Sequence, residues 1–140
     1  MRTVRDDAGT RYLLVKRSGS SSLVRDPATG EERYVENDRL TDAGGASALE
    51  TAAAGVPEAV RGLVTAAHDD RSLGLLVEFA DRGALPVRDL LGTYDLCESD
   101  LHGLLAEFEA AGLVRRTTVA GERGYEPTAT TRAAVDVIRG

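Results

Sequence analysis

The stretch that decides the fold is Asp95–Arg116, DLCESDLHGLLAEFEAAGLVRR. Leu101, Leu104, Leu105 and Phe108 stand at i, i+3, i+4 and i+7, the spacing of one apolar helical stripe. Gly112 suits the left-handed position just past a helix C-terminus. At the other end, Asp95 with Glu98 supplies a capping-box-like start, or the helix begins two residues later. With the stripe turned inward, Ser99, Gly103, Ala106 and Ala110 fall on the opposite face. Between Glu98 and Ala111 the charged residues are all acidic: Glu98, Asp100, Glu107 and Glu109, with no lysine or arginine.

The flanking segments set this helix in order. Pro57 suits the first turn of a helix running to about Ala67. In DDRSLGLLVEFADRG, Leu73, Leu76, Val77 and Ala80 predict a second helix that stops at Gly83. PVRDLLGTYD predicts a short helix opened by proline. After the deciding stretch, LVRRTTVAGERGYEPT reads as two short strands around AGERG, and TTRAAVDVIRG as a final helix.

Residues 1–40 read differently. RYLLVK, SSLVRD and ERYVE carry β-branched and aromatic residues, and DPATGE lies between the last two. Pro27 and Gly30 suit a turn there, so a three-stranded antiparallel meander is expected. Residues 41–56, TDAGGASALETAAAGV, are small and Gly/Ala-rich and read as a linker with one helical turn at Ser47–Ala54. The expected division is therefore a β meander (1–40), a linker (41–56) and a helical domain (57–140).

From Arg71 to Thr128 the order of pieces resembles the winged helix-turn-helix superfamily, in the style of MarR- and ArsR-type regulators. A Leu-rich helix ends in DRG, PVRDLLGTYDL follows as a positioning helix, a third helix ends in AAGLVRR, and a hairpin closes on GYEPT. The whole chain also resembles a small haloarchaeal protein family without an assigned activity. The fold expected is α+β: a small N-terminal antiparallel β meander plus a C-terminal winged helix-turn-helix domain. The resemblance implies a third helix in the major groove, a wing on the phosphates and a dimer spanning two half-sites. On that reading the nucleic-acid-binding residues are Ser99 and His102 on the helix, and Arg115, Arg116, Arg123 and Tyr125 on the wing. Arg115 and Arg116 can instead pair with Glu122 or Glu126 across the hairpin.

The chemistry of the third helix departs from that family. Phosphate contacts need cations and base edges need bidentate polar groups, yet the outer face offers small residues flanked by carboxylates. Winged helices also serve as protein-interaction modules. The second reading is accordingly that Ser99, Gly103, Ala106 and Ala110 dock a protein partner or a second copy in a homodimer.

Composition narrows the function classes further. The net charge is −6, Lys16 is the only lysine, and 42% of residues are hydrophobic with no tryptophan. Acid-rich, lysine-poor composition resembles proteins of salt-accumulating archaea, and a high-GC genome also produces the arginine bias. Such acidity works against DNA binding by a generally basic surface. No apolar run is long enough for a membrane span, and the N-terminus lacks a signal-like apolar region, so a cytoplasmic protein is expected. Single Cys97 excludes an internal disulfide and a Cys-rich zinc site. At the start of the third helix it reads as a redox-sensitive thiol or as a small buried filler. His68 and His102 lie on different helices, HDD at 68–70 reads as a helix end followed by a cap, and no phosphate loop is present. Neither an enzyme nor a cofactor or metal site is expected.

Overall fold

A computed structural model describes all residues from Met1 to Gly140. The chain forms two compact units, Met1–Pro57 and Glu58–Gly140.

The first unit is a five-stranded antiparallel sheet built from β1 (Arg2–Arg5), β2 (Arg11–Arg17), β3 (Ser21–Arg25), β4 (Glu32–Glu36) and β5 (Thr41–Asp42). Their order is β4-β3-β2-β1-β5. Strand alternation places Val4, Tyr12, Leu14, Val24 and Val35 in one buried cluster. Asp6 turns the chain between β1 and β2 by accepting from the Ala8 and Thr10 amides at 3.0 and 2.9 Å. Asp26 does the same for Ala28 at the Pro27–Gly30 turn, at 2.8 Å. The three expected strands are present, and two more, β1 and β5, extend the sheet beyond β2. β1 offers only Thr3 and Val4 between arginines, and β5 is two residues long, so neither carries a readable alternation.

The stretch read as a linker with one helical turn at Ser47–Ala54 has that turn, and it also packs with the sheet. It contributes β5 and α1 (Ala48–Ala53), whose N-terminus is capped by Ser47 Oγ accepting from the Leu49 and Glu50 amides. Thr51 is buried, and its hydroxyl lies 2.5 Å from that of buried Thr3 on β1. A side chain at Gly55 would come within 2.0 Å of the Pro27 carbonyl oxygen, so glycine permits the close approach there. Thr51 and Gly55 of this stretch therefore serve packing, whereas Gly44, Gly45 and Ala52–Ala54 are exposed.

The second unit runs α2 (Glu58–Ala66), α3 (Asp70–Arg82), β6 (Leu85–Pro86), α4 (Val87–Thr93), α5 (Glu98–Ala110), β7 (Val114–Val119), β8 (Glu122–Pro127) and α6 (Ala129–Arg139). After α2, the three helices α3, α4 and α5 lead into a β7–β8 hairpin, and β6 joins it in the order β6-β8-β7. This is the winged helix-turn-helix arrangement, with α5 in the third-helix position and the hairpin as wing. Asp69 caps α3 by accepting from the Ser72 amide and hydroxyl, both at 2.9 Å. Those bonds to the ionised form hold its carboxyl below the ordinary aspartate range.

Two details fix the wing. Val119 pairs with Glu122, leaving the two-residue loop Ala120–Gly121 with φ of 50° and 81°. Positive φ at both positions defines the tight hairpin turn that matches strand twist. Where β6 crosses β8, a side chain at Gly124 would stand 2.6 Å from the Leu85 carbonyl oxygen, so only glycine fits.

Phe79, Phe108, Leu63, Leu76, Leu90, Leu101, Leu105 and Leu113 are fully buried in the unit's core. Each contributes roughly 1.5–3 kcal/mol by leaving water. The expected stripe of α3 is corrected by rotation. Its buried face is Ser72, Leu75, Leu76 and Phe79, while Leu73, Val77 and Ala80 are only partly buried. Ser72 holds a core position because Asp69 satisfies its hydroxyl.

Candidate nucleic-acid interface

Helix α5 begins at Glu98 with Cys97 as its N-cap, the later of the two starts open in the sequence. Its core side carries Leu101, Leu105 and Phe108, with Leu104 half-buried. The far end is anchored by threonines. Thr128 Oγ1 donates to the Gly112 carbonyl at 2.7 Å, and Thr131 Oγ1 donates to the Leu113 carbonyl at 2.6 Å. Gly112, at φ 74°, turns the chain out of the helix into β7. Ser99, Gly103, Ala106 and Ala110 are all exposed, so the small-residue face lies where the helical spacing puts it.

The carboxylates flanking that face are partly engaged. His68 Nε2 lies 2.6 Å from Glu107 Oε2, His102 Nε2 lies 3.6 Å from Glu98 Oε1, and Arg116 Nε lies 3.1 Å from Glu109 Oε2. Asp100 has no cationic partner. A histidine compensates a carboxylate only when protonated, so arginine alone offsets charge here at every relevant pH. His102 is thus brought to the interface already leaning on Glu98.

The wing carries the arginines. Arg115 Nε sits 2.6 Å from Glu126 Oε1, as the cross-hairpin alternative expects, whereas Arg116 turns to Glu109 of α5 rather than to Glu122 or Glu126. Glu122 is taken instead by Arg88 of α4, at 3.1 Å. Arg123 is exposed and has no ion pair. Tyr125 is corrected: it is 8% exposed and belongs to the core, opposite Leu85, so its ring cannot reach a phosphate. A tyrosine facing inward from β8 was not distinguishable from a wing contact by residue type. Arg88 escaped notice because only the fold carries α4 to the wing.

Other expected features fall in place around this surface. Cys97 is exposed, which removes the buried-filler reading; its Sγ accepts from the Asp100 amide at 3.5 Å and lies 3.4 Å from Ser99 Oγ. No group of three or more His, Cys, Asp or Glu is placed to hold a metal ion. No helix is long and apolar enough to cross a membrane. In the first unit Arg2, Arg25 and Arg39 pair with Asp42, Glu32 and Asp7, whereas Arg5 and Arg11, opposite one another on β1 and β2, have no ion pair.

Residues 1–139 match the family of unknown function DUF7346, and the chain belongs to it. No curated protein matches. A crystal structure of an ArsR family transcriptional regulator is similar at 19% identity and a TM-score of 0.43, over 60% of this chain and 86% of that chain. At that distance the winged-helix assignment rests on the element order and strand pairing described above.

Proposed function

We propose that this DUF7346 protein is a non-enzymatic, DNA-associated, transcription-regulator-like winged-helix protein whose DNA contacts come from the wing more than from α5. The observation that carries the reading is the set of exposed arginines, Arg115, Arg116 and Arg123, on a hairpin next to a solvent-facing third helix. The side chains of Arg115 and Arg116 are 68% and 71% exposed. Surface ion pairs of this kind are worth about 0–1 kcal/mol, so a phosphate can displace their carboxylate partners. Ser99 and His102 are the donors α5 can add. Sequence selectivity is then expected to be modest, because positioning contacts dominate over base contacts.

A dimer follows from the same reading, since one winged domain covers one half-site. Val64 on α2 and Val137 and Ile138 on α6 remain exposed on two helices that pack together, and supply apolar surface for a second copy. Sedimentation of Val137→Glu at the concentration where the unmodified protein is dimeric would return a monomer; an unchanged dimer rejects that surface.

The second reading has its own support in the charge of α5. Its small outer face, flanked by Asp100 and the other carboxylates, suits a protein partner better than a phosphate rim. A mobility-shift titration against genomic fragments over a wide salt range separates the two. Salt-dependent shifts support the DNA reading. No shift at the lowest salt, with partner capture lost in Ala106→Arg, supports the protein reading.

A further inference from the structure

Helix α3 borders a groove at the edge of the unit's core. Leu73 and Val77 of α3, together with Tyr94 and Leu96 of the α4–α5 segment, line a cleft of about 650 Å³. That volume lies within the range of small-molecule sites, which are largely apolar with a few placed polar groups. The wall is held rather than loose. Tyr94 Oη donates to Glu78 Oε1 at 2.6 Å and accepts from Arg82 at 2.6 Å, and Arg71 donates to the Asp95 carbonyl.

The charge of the wall is net acidic. Asp70, Glu78 and Asp95 line it with Arg71, and Arg82 bears on Glu78 from behind Tyr94, so three acids face two arginines. None of the three carboxylates has an ion-pair partner, and Glu78 makes only the bond from Tyr94. Gly74 leaves room on this wall, as Gly62, Gly92 and Gly103 do on other helices. It sits inside a 13-residue helix, lines the cleft, and a Cβ there would meet nothing within 4 Å. Glycine in a helix interior costs stability relative to alanine, and no close approach requires it.

We propose that the groove between α3 and Tyr94–Leu96 is a binding site for an organic cation with an apolar body. The apolar part lies on Leu73, Val77 and Leu96, and the cationic group meets Glu78 and its acidic neighbours. Leu96 immediately precedes Cys97, the N-cap of α5, so an occupant touches the segment that sets where α5 begins. The site does not depend on whether α5 meets DNA, and its test needs no nucleic acid.

The test uses three probes with one apolar body: 4-phenylbutylamine, 4-phenylbutanol and 4-phenylbutyrate. Ligands this small bind in roughly the millimolar range, which amide chemical-shift titration of the full chain resolves. The amine is expected to shift Leu73, Gly74, Val77, Tyr94 and Leu96, the alcohol to shift them more weakly, and the butyrate to leave them in place. Glu78→Gln, which keeps an acceptor for Tyr94, should weaken the amine by roughly two- to fivefold, the range for a partly exposed ion pair, and leave the alcohol unchanged. Gly74→Leu should fold with a higher melting temperature and lose the amine shifts. The proposal is overturned if butyrate binds as well as the amine, if Gly74→Leu retains amine binding, or if the same amides respond only to protein concentration, which would assign the groove to a second copy.

Discussion

Arg116 of the wing and Glu109 of α5 form an ion pair at 3.1 Å, so the two candidate DNA-contacting elements hold one another's charge. The pair ties the base of the wing to the last turn of the third helix. It also leaves one wing cation partly offset before any phosphate arrives.

Removing the acid and keeping the size should release that cation. Glu109→Gln is expected to tighten binding to a duplex by roughly two- to fivefold at low salt, in line with the worth of a surface pair. Anisotropy with a labelled duplex measures it. An unchanged or weaker affinity would show that Arg116 does not meet phosphate.

The contact between Thr3 and Thr51 should couple α1 to the sheet. Thr3→Val leaves the buried Thr51 hydroxyl without its partner, at a cost of about 1–3 kcal/mol, and Thr51→Val should cost less because the Thr3 hydroxyl keeps the Ser47 carbonyl at 3.4 Å. The double variant should cost clearly less than the sum, a non-additivity expected of contacting residues. Chemical denaturation of all four proteins gives the coupling. Strict additivity would mean that the hydroxyls do not depend on one another.

The wing turn carries a correctable strain. Ala120 occupies a positive-φ position that asparagine tolerates better, so Ala120→Asn should stabilise the protein by about 1 kcal/mol. Gly124→Ala should do the opposite, by roughly 1–3 kcal/mol, because its methyl group meets the Leu85 carbonyl. Melting curves distinguish the two signs; a neutral Gly124→Ala would mean that β6 does not press on β8.

Acid should loosen the second unit through Asp69 and Asp81. Both carboxyls are held below their ordinary value of 3.8, Asp69 by the Ser72 amide and hydroxyl and Asp81 by hydrogen bonds from Arg139. A depressed folded-state pKa gives stability that is present above the unfolded value and lost as pH falls through the folded one. Stability should therefore decline below about pH 5 and continue to fall beneath 3.8. Asp69→Asn keeps a capping side chain and should flatten part of that decline. A variant whose acid limb matches the parent protein would remove Asp69 from the explanation.

Much of the second unit was legible because its signals are local. Proline marks the start of α4, Gly83 and Gly112 end α3 and α5, and the leucine stripe of α5 is unambiguous. The α3 stripe was not, because Leu73, Leu75, Leu76, Val77 and Phe79 allow two overlapping apolar faces. Only packing chose the one containing Ser72, which the Asp69 cap makes acceptable in a core. That choice also turned Leu73 and Val77 into a groove. In the first unit, composition misled: alanine and glycine at 41–56 looked flexible, while Thr51 and Gly55 are there for a buried hydroxyl contact and a close backbone approach. At the interface, residue type named the arginines but could not show that Arg116 leans on Glu109, that Arg88 reaches Glu122, or that Tyr125 faces inward.

The most direct test of wing-led DNA association is the salt dependence of binding to a labelled random duplex. The logarithm of affinity should fall linearly with the logarithm of salt, with a slope of roughly −3 for contacts by Arg115, Arg116 and Arg123 of one copy. Arg123→Ala should bring the slope about one unit closer to zero, while Ser99→Ala leaves it unchanged. Absence of binding at the lowest salt, or a slope indifferent to Arg123, would contradict a DNA role for the wing.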